Sequence, residues 1–309
     1  ALALTERLTA EDTVLFLVSG GGSALFELPF ITPEEQQRIT RELLACGADI
    51  VEMNTIRKRL SRVKAGRFAQ HCAPARVFSI VLSDIVGDPL DMIASGPAYP
   101  DASTAEQALA IVKKYALHLS DEALSCLEAP TPNHLSNVKT HITGSVRALC
   151  AAAQDAAQKL GFQCRMLTDC LDCEAREAGR FLASIARSHQ QTERPLAFFA
   201  GGETVVHLTG QGLGGRNQEL ALAAAPGLRG TQNTAVCSFG SDGTDGPTDA
   251  AGGFVDQSSD TALRAAGLDV PQVLAENDAY HALQKIGGLL MTGPTGTNVN
   301  DLAMVLIWR

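Results

Sequence analysis

Apolar and polar positions follow two alternating rhythms along this chain. Short runs of Val, Ile, Phe and Leu that end in Ser, Gly or Asp recur in "TVLFLVSGGGS", "RVFSIVLSDIVGD", "FQCRMLTD", "PLAFFAGGE", "TAVCSFGSDG" and "GGLLMTGPTG". Each has the length and composition of a buried strand. Between most of them lie helix-length stretches with apolar residues three and four apart, such as Ser145 to Leu160 and Glu174 to His189. Strands alternating with helices predict an α/β fold with mostly parallel sheets. Ligands of such sheets bind at the carboxyl ends of the strands, where these polar and glycine-rich tails fall. The polar, proline-ended segment "SHQQTERP" separates two α/β-like halves. It sets a domain boundary that gives residues 1–190 and 191–309. A second polar stretch, "APTPNHLSNVKTH", reads as a loop inside the first domain.

Size and charge narrow the class. The 309 residues, 45% of them hydrophobic and 19% charged, are enough for a sizeable core and for two domains. A net charge of −9 argues against nucleic acid or an anionic membrane surface as the main partner, since both repel an acidic protein at long range. No apolar run approaches the roughly 20 residues that span a bilayer, and the start "ALALTERLTAED" lacks a signal-peptide pattern, so the expected compartment is the cytoplasm. Eight scattered cysteines fit reduced thiols, and the lone Cys170-x-x-Cys173 pair reads as two ordinary cysteines. The chain reaches a strand at Thr13 after barely one helix-sized segment, which reads as a fragment.

Several stretches carry chemistry. Ser19, Gly20, Gly21, Gly22 and Ser23 stand between a strand and a helix, where successive backbone N–H groups can converge on a phosphate or carboxylate. The alternative is a tight turn without a ligand. The pattern G-x-G-x-x-G occurs at Gly210, Gly212 and Gly215, read as lying after a strand and before a helix, but no acid follows between Glu219 and Asp242 as a dinucleotide site expects. Next to it the helix start Arg216, Asn217, Gln218, Glu219 places an arginine suited to a transferring phosphoryl group. An ordinary salt bridge is its bland alternative. Most of the basic run "IRKRLSRVKAGRFA" reads as a solvated helix face, with one or two residues such as Lys64 turned toward an anionic ligand. Asp84 ends a strand, where a carboxylate can reach a metal-bound water.

The acidic loop "SFGSDGTDGPTDAAGG" offers Asp242 and Asp245 on glycines after a strand. Hard oxygen ligands of this kind hold Mg²⁺ together with substrate phosphates, or take a proton from a hydroxyl nucleophile. Thr297, Asn298 and Asp301 in "MTGPTGTNVNDLAMVLI" supply hydrogen bonds suited to a hydroxylated or phosphorylated small molecule.

Taken in order, "SGGGSALFELP", "GADIVEMNTIRKRLSRVKAGRFA", "LSDIVGDPLDMIASGP", "GGETVV", "GGRNQELAL", "DGTDGPTDAAGG", "END" and "TGPTGTNVNDL" resemble the glycerate 2-kinase family, whose second half is the MOFRL domain. The resemblance covers nearly the whole chain. It implies a Rossmann-like α/β/α first domain, incomplete here, a smaller α/β second domain and an active site in the cleft between them. It further implies transfer of the ATP γ-phosphoryl group to the 2-hydroxyl of D-glycerate with Mg²⁺. The expected partners are small molecules, with neither nucleic acid nor membrane, and a homodimer is left open. Arg216 matches the family's catalytic arginine. The lysine usually paired with it belongs to an upstream segment that this chain is expected to lack. Ala65 stands where the family usually has glycine, and Cys173 also replaces a glycine. Two other functions stay in view: an NAD(P)H-dependent hydroxypyruvate reductase, resting on Gly210, Gly212 and Gly215, and a non-catalytic metabolite-binding relative.

Overall fold

A computed structural model describes residues 1–19, 21–83, 87 and 90–309. The chain divides into two compact units, Ala1–Thr143 and Gly144–Arg309. In the first unit, β1 (Thr13–Val18), β2 (Arg76–Leu82) and β3 (Val138–Gly144) form a three-stranded sheet with β2 in the middle. β1 and β2 run parallel, with Leu15 opposite Phe78 and Leu17 opposite Ile80. The helices are α1 (Gly22–Leu25), α2 (Pro33–Ala45), α3 (Ile50–Arg59), α4 (Arg67–His71), α5 (Ala105–Tyr115) and α6 (Asp121–Glu128).

Local chemistry fixes where these helices start. Thr32 caps α2 ahead of Pro33, and Asp49 with Glu52, like Thr104 with Gln107, closes a reciprocal capping box on α3 and α5. Ile39, Leu43, Ile56, Leu60 and Leu127 join these helices in one apolar cluster. A second cluster carries Phe68, Val77 and, from β1, Phe16, whose ring lies 4.8 Å from that of Phe68.

The second unit holds a six-stranded sheet made of β4 (Gln163–Leu171), β5 (Leu196–Gly202), β6 (Thr234–Gly240), β7 (Gly252–Asp256), β8 (Leu289–Leu290) and β9 (Asp301–Ile307), ordered β4-β5-β9-β6-β7-β8. Its helices are α7 (Val146–Lys159), α8 (Ala175–Ser188), α9 (Arg216–Leu228), α10 (Ser259–Ala265), α11 (Val270–Ala275) and α12 (Ala279–Lys285). Residues of β5 alternate between two apolar clusters: Leu196, Phe198 and Ala200 pack with α8 and α9, while Ala197 and Phe199 pack with α7. A strand buried on both faces reads as a continuous apolar run, as "LAFFA" does. α9 is buried from Asn217 to Ala225, and it approaches α8 so closely that a Cβ on Gly179 would stand 2.1 Å from the Leu220 carbonyl oxygen. Among the described residues no helix is long and apolar enough to cross a membrane.

Three expectations change. The division falls at 143/144 rather than 190/191, because β4 pairs with β5 and α8 packs on α9 within the second sheet. Parallel pairing holds for β1–β2 and β4–β5, but β9 runs antiparallel to both β5 and β6, and β6–β7 and β7–β8 are antiparallel as well. The stretch read as a loop from Ala129 to His141 contains most of β3, whose Lys139, His141 and Thr143 face outward between half-buried neighbours. That alternation carries too little apolar weight to signal a strand.

Candidate active site

The pairing of β9 creates the central feature of the second unit. Asp301, its first residue, lies opposite Gly202 at the end of β5 and opposite Gly240 at the end of β6. Two strands that end here thus flank one that begins here, and the first residue of α9 joins them. Arg216 donates from Nε to Asp301 Oδ2 at 2.5 Å and from Nη2 to Asp301 Oδ1 at 3.1 Å, while its Nη1 lies 2.8 Å from Glu203 Oε1. A two-pronged pair of this kind fixes the plane of the guanidinium as well as its charge. Burial alone would lower the pKa of Arg216, but Asp301 outweighs it, with help from Glu203 and Asp245, and the group is held well above its ordinary value. The Asp301 side chain is 8% exposed and that of Glu203 46%, so one carboxylate is a fixed mount and the other faces water.

Behind the arginine, Asp245 is buried and turned to the start of α9. Its Oδ1 accepts from the backbone N–H of Asn217 at 3.1 Å and from Asn217 Nδ2 at 3.3 Å, and its Oδ2 accepts from the Gln218 N–H at 2.8 Å. Burial pushes the carboxyl up to about 6, against those N–H bonds, which favour the charged form, and the charge of Asp301 adds to the rise. Asp245 was expected to bind Mg²⁺ or touch substrate; in the structure both its oxygens accept from the start of α9, whose exposed N–H groups need acceptors. Asn217 is likewise internal, accepting from Ser238 Oγ at 2.5 Å. Asp242 is half-buried, with Oδ1 accepting from the Thr244 N–H at 2.9 Å, and the space over Gly240 is faced by both its Oδ1 and that of Asp301. The loop before β9 is tied to this place, since the Thr295 N–H donates to the Asp242 carbonyl at 3.1 Å and its Oγ1 to the Ser241 carbonyl at 2.6 Å. Thr297 and Asn298 are exposed on that loop.

The structure thus brings Arg216, Asp242 and Asp301 together, with Asn217 and Asp245 beneath them. Sequence reading missed Glu203 and Asn300, which donates from Nδ2 to Glu203 Oε2 at 3.1 Å. The signal was available, because Glu203 follows two glycines that end a strand. Among the described residues no three of His, Cys, Asp or Glu are grouped to hold a metal.

The glycine fingerprint has a packing explanation. The strand before it, β5, ends at Gly202, and between that strand and Gly210 the described residues hold a single bridge at Val205. A Cβ on Gly210 or Gly212 would meet the backbone of Glu276 or Asp278, and one on Gly215 would stand 2.3 Å from the Asp245 carboxyl carbon. Asn277 holds this loop by accepting from the N–H groups of Thr209 and Gly210 and donating to Glu219 Oε2. These contacts account for all three glycines without a nicotinamide ligand.

In the first unit, Gly20 and Asp84 lie outside the described residues. Ser19 is exposed, Gly21 takes a left-handed φ of 80°, and a Cβ on Gly22 would stand 2.7 Å from that of Ala94. Ser23 Oγ lies 3.1 Å from Ser95 Oγ, which donates to Asn54 Oδ1 at 3.2 Å. Lys64 was expected to face a ligand. It is instead fully buried, and its ammonium donates to the carbonyls of Ser23 (2.8 Å), Phe26 (3.2 Å) and Ala94 (3.4 Å), with Glu27 Oε2 at 3.6 Å. Burial pushes its pKa down to about 8, with Glu27 opposing and Arg57 assisting. Lys64 therefore clamps the glycine loop to the turn at Ile93–Ser95. Cys170 and Cys173 are exposed free thiols.

The site and fold define an α/β protein with a carboxylate-mounted arginine at its strand ends. Comparisons specify it. Residues 1–128 match a domain of unknown function, DUF4147, and residues 196–301 match the MOFRL family. The D-glycerate 2-kinase of Thermotoga maritima is 54% identical over 312 residues, covering 99% of this chain and 75% of that protein. The glycerate 2-kinase of Pyrococcus horikoshii is 41% identical over 324 residues, covering 99% of this chain and 73% of that protein. A crystal structure of Thermotoga maritima glycerate kinase superposes with a TM-score of 0.95 over 99% of this chain and 75% of that one. The chain belongs to the glycerate 2-kinase family.

Proposed function

We infer that this chain is a glycerate 2-kinase, transferring the γ-phosphoryl group of ATP to the 2-hydroxyl of D-glycerate to give 2-phosphoglycerate. Family membership at 54% identity along nearly its whole length supports the activity. The observation that carries the chemistry is the asymmetric mounting of Arg216, fixed by buried Asp301 and met on its other side by exposed Glu203. In our reading an oxygen of the transferring phosphoryl group displaces Glu203 from Nη1, while Asp301 keeps the guanidinium aimed. Phosphoryl transfer asks chiefly for such positioning and charge neutralisation.

The nucleotide phosphates are assigned to the loop from Ser19 to Ser23, and the hydroxyl and carboxylate groups of glycerate to Thr297 and Asn298. Mg²⁺, when bound, would supply further charge neutralisation. Asp242 fits as the single protein carboxylate that would hold it, since Asp245 is committed to α9. A phosphorus NMR spectrum of chain, ATP, Mg²⁺ and D-glycerate tests this reading. The 2-phosphoglycerate resonance is expected; 3-phosphoglycerate, or no transfer, would overturn it.

A further inference from the structure

A cavity of about 420 Å³ opens in the first unit between α3, α5 and the segments around Asp91 and Ser103. Lys58 lines it and is 4% exposed, yet among the described residues its ammonium has one close polar partner, Asp91 Oδ2 at 2.9 Å. Asp101 Oδ1 lies 3.7 Å away and beyond hydrogen-bond reach, and the Asp101 carboxylate is taken by the N–H and hydroxyl of Ser103. An ammonium carries three donors, so two are left without an acceptor, which is costly in a buried place.

The surroundings indicate what would accept them. Lys58 with Asp91 and Asp101 leaves a net negative charge, which disfavours a carboxylate or phosphate and favours neutral hydroxyl oxygens that accept from Lys58 and donate to Asp91. The rest of the wall joins apolar Val51, Met92, Ala110 and Ile111 to polar Thr55, Ser103 and Gln107 and to Glu52, whose carboxylate is paired with Lys114. A diol joined to a flat ring fits that division, and the volume lies in the range of pockets for such ligands and well above what glycerate needs. α3 also carries the groups that support the glycine loop: Asn54, bonded to Ser95, and Arg57, whose Nη2 donates to the Ser23 carbonyl at 3.3 Å.

We propose that this cavity receives the nucleoside part of the nucleotide, with the sugar hydroxyls between Lys58 and Asp91 and the base against Ile111 and Ala110. The assignment rests on the reading that ATP is the phosphoryl donor. Its test is calorimetric titration of the chain with ADP, together with Michaelis constants for ATP and D-glycerate, for the wild type, Lys58→Met and Ala110→Phe. Ala110 is exposed on α5, so Ala110→Phe fills the cavity without disturbing the core. It is expected to weaken ADP at least tenfold and raise the KM for ATP similarly, with the KM for D-glycerate within twofold of wild type. Unchanged ADP affinity in Ala110→Phe, a change in the KM for glycerate instead, or no ADP binding by the wild type would overturn the assignment. ADP binding with the expected dependence but no 2-phosphoglycerate would overturn the kinase reading and leave the cavity assignment standing.

Discussion

Arg216 and Asp301 meet through two hydrogen bonds, across 85 positions of sequence, at the one place where β5 and β6 end and β9 begins. The antiparallel return of β9 is what makes this possible. A parallel strand would have brought its carboxyl end to the row and left the first residue at the far edge of the sheet.

The asymmetry of the arginine's two carboxylates predicts unequal mutants. Asp301→Asn removes the mount and should lower kcat by about 100-fold, the scale of losing one transition-state contact. Glu203→Gln removes only the exchangeable partner and should change kcat by less than about tenfold. Steady-state kinetics of the two variants checks the order.

Stability should carry the mark of Asp245. Burial pushes its carboxyl up to about 6 from an ordinary 3.8, so between those values the folded chain binds more protons than the unfolded one. Folding free energy then weakens as pH rises from 3.8 to 6, and the contribution is about 3 kcal/mol at most. Urea unfolding across that window should show this slope in the wild type and lose it in Asp245→Asn.

The contact between α8 and α9 depends on glycine. Gly179→Ala would place its Cβ 2.1 Å from a backbone oxygen, whereas Gly227→Ala would meet the Ala183 methyl at 2.7 Å. The overlap at Gly179 is the deeper of the two, so Gly179→Ala should cost about 3 kcal/mol and Gly227→Ala less. Denaturation midpoints of the two variants measure the difference.

Ala65 has a φ of +54° and is buried. A left-handed alanine costs roughly 1 kcal/mol relative to glycine. Ala65→Gly should therefore raise stability by about that amount, read as a higher melting temperature. An unchanged or lower value would show that the lost methyl packing offsets the relief.

Much of the fold was legible in the sequence, because runs such as "TVLFLV" and "PLAFFA" are apolar on both faces and end in glycine or serine. β3 was hidden by its exposed alternate residues, and the antiparallel course of β9 by the lack of any local signal for strand direction. The candidate site was legible in part. Arg216 and Asp301 could be named from glycine-rich and polar context, but their pairing depends on sheet register. The inward contacts of Asp245 and Lys64 were not legible for one common reason. A polar side chain in a glycine-rich stretch satisfies either a ligand or nearby backbone groups, and only the contacts decide which.

The most direct measurement compares phosphoryl transfer to D-glycerate by the wild type, Arg216→Lys and Arg216→Ala, following 2-phosphoglycerate in a single turnover. A lysine keeps the charge but cannot hold Asp301 at two points. Rates that fall by about 10³ or more in alanine, with lysine restoring only a small part, are the predicted result. Full activity in either variant would contradict the central role given to the Arg216–Asp301 mount.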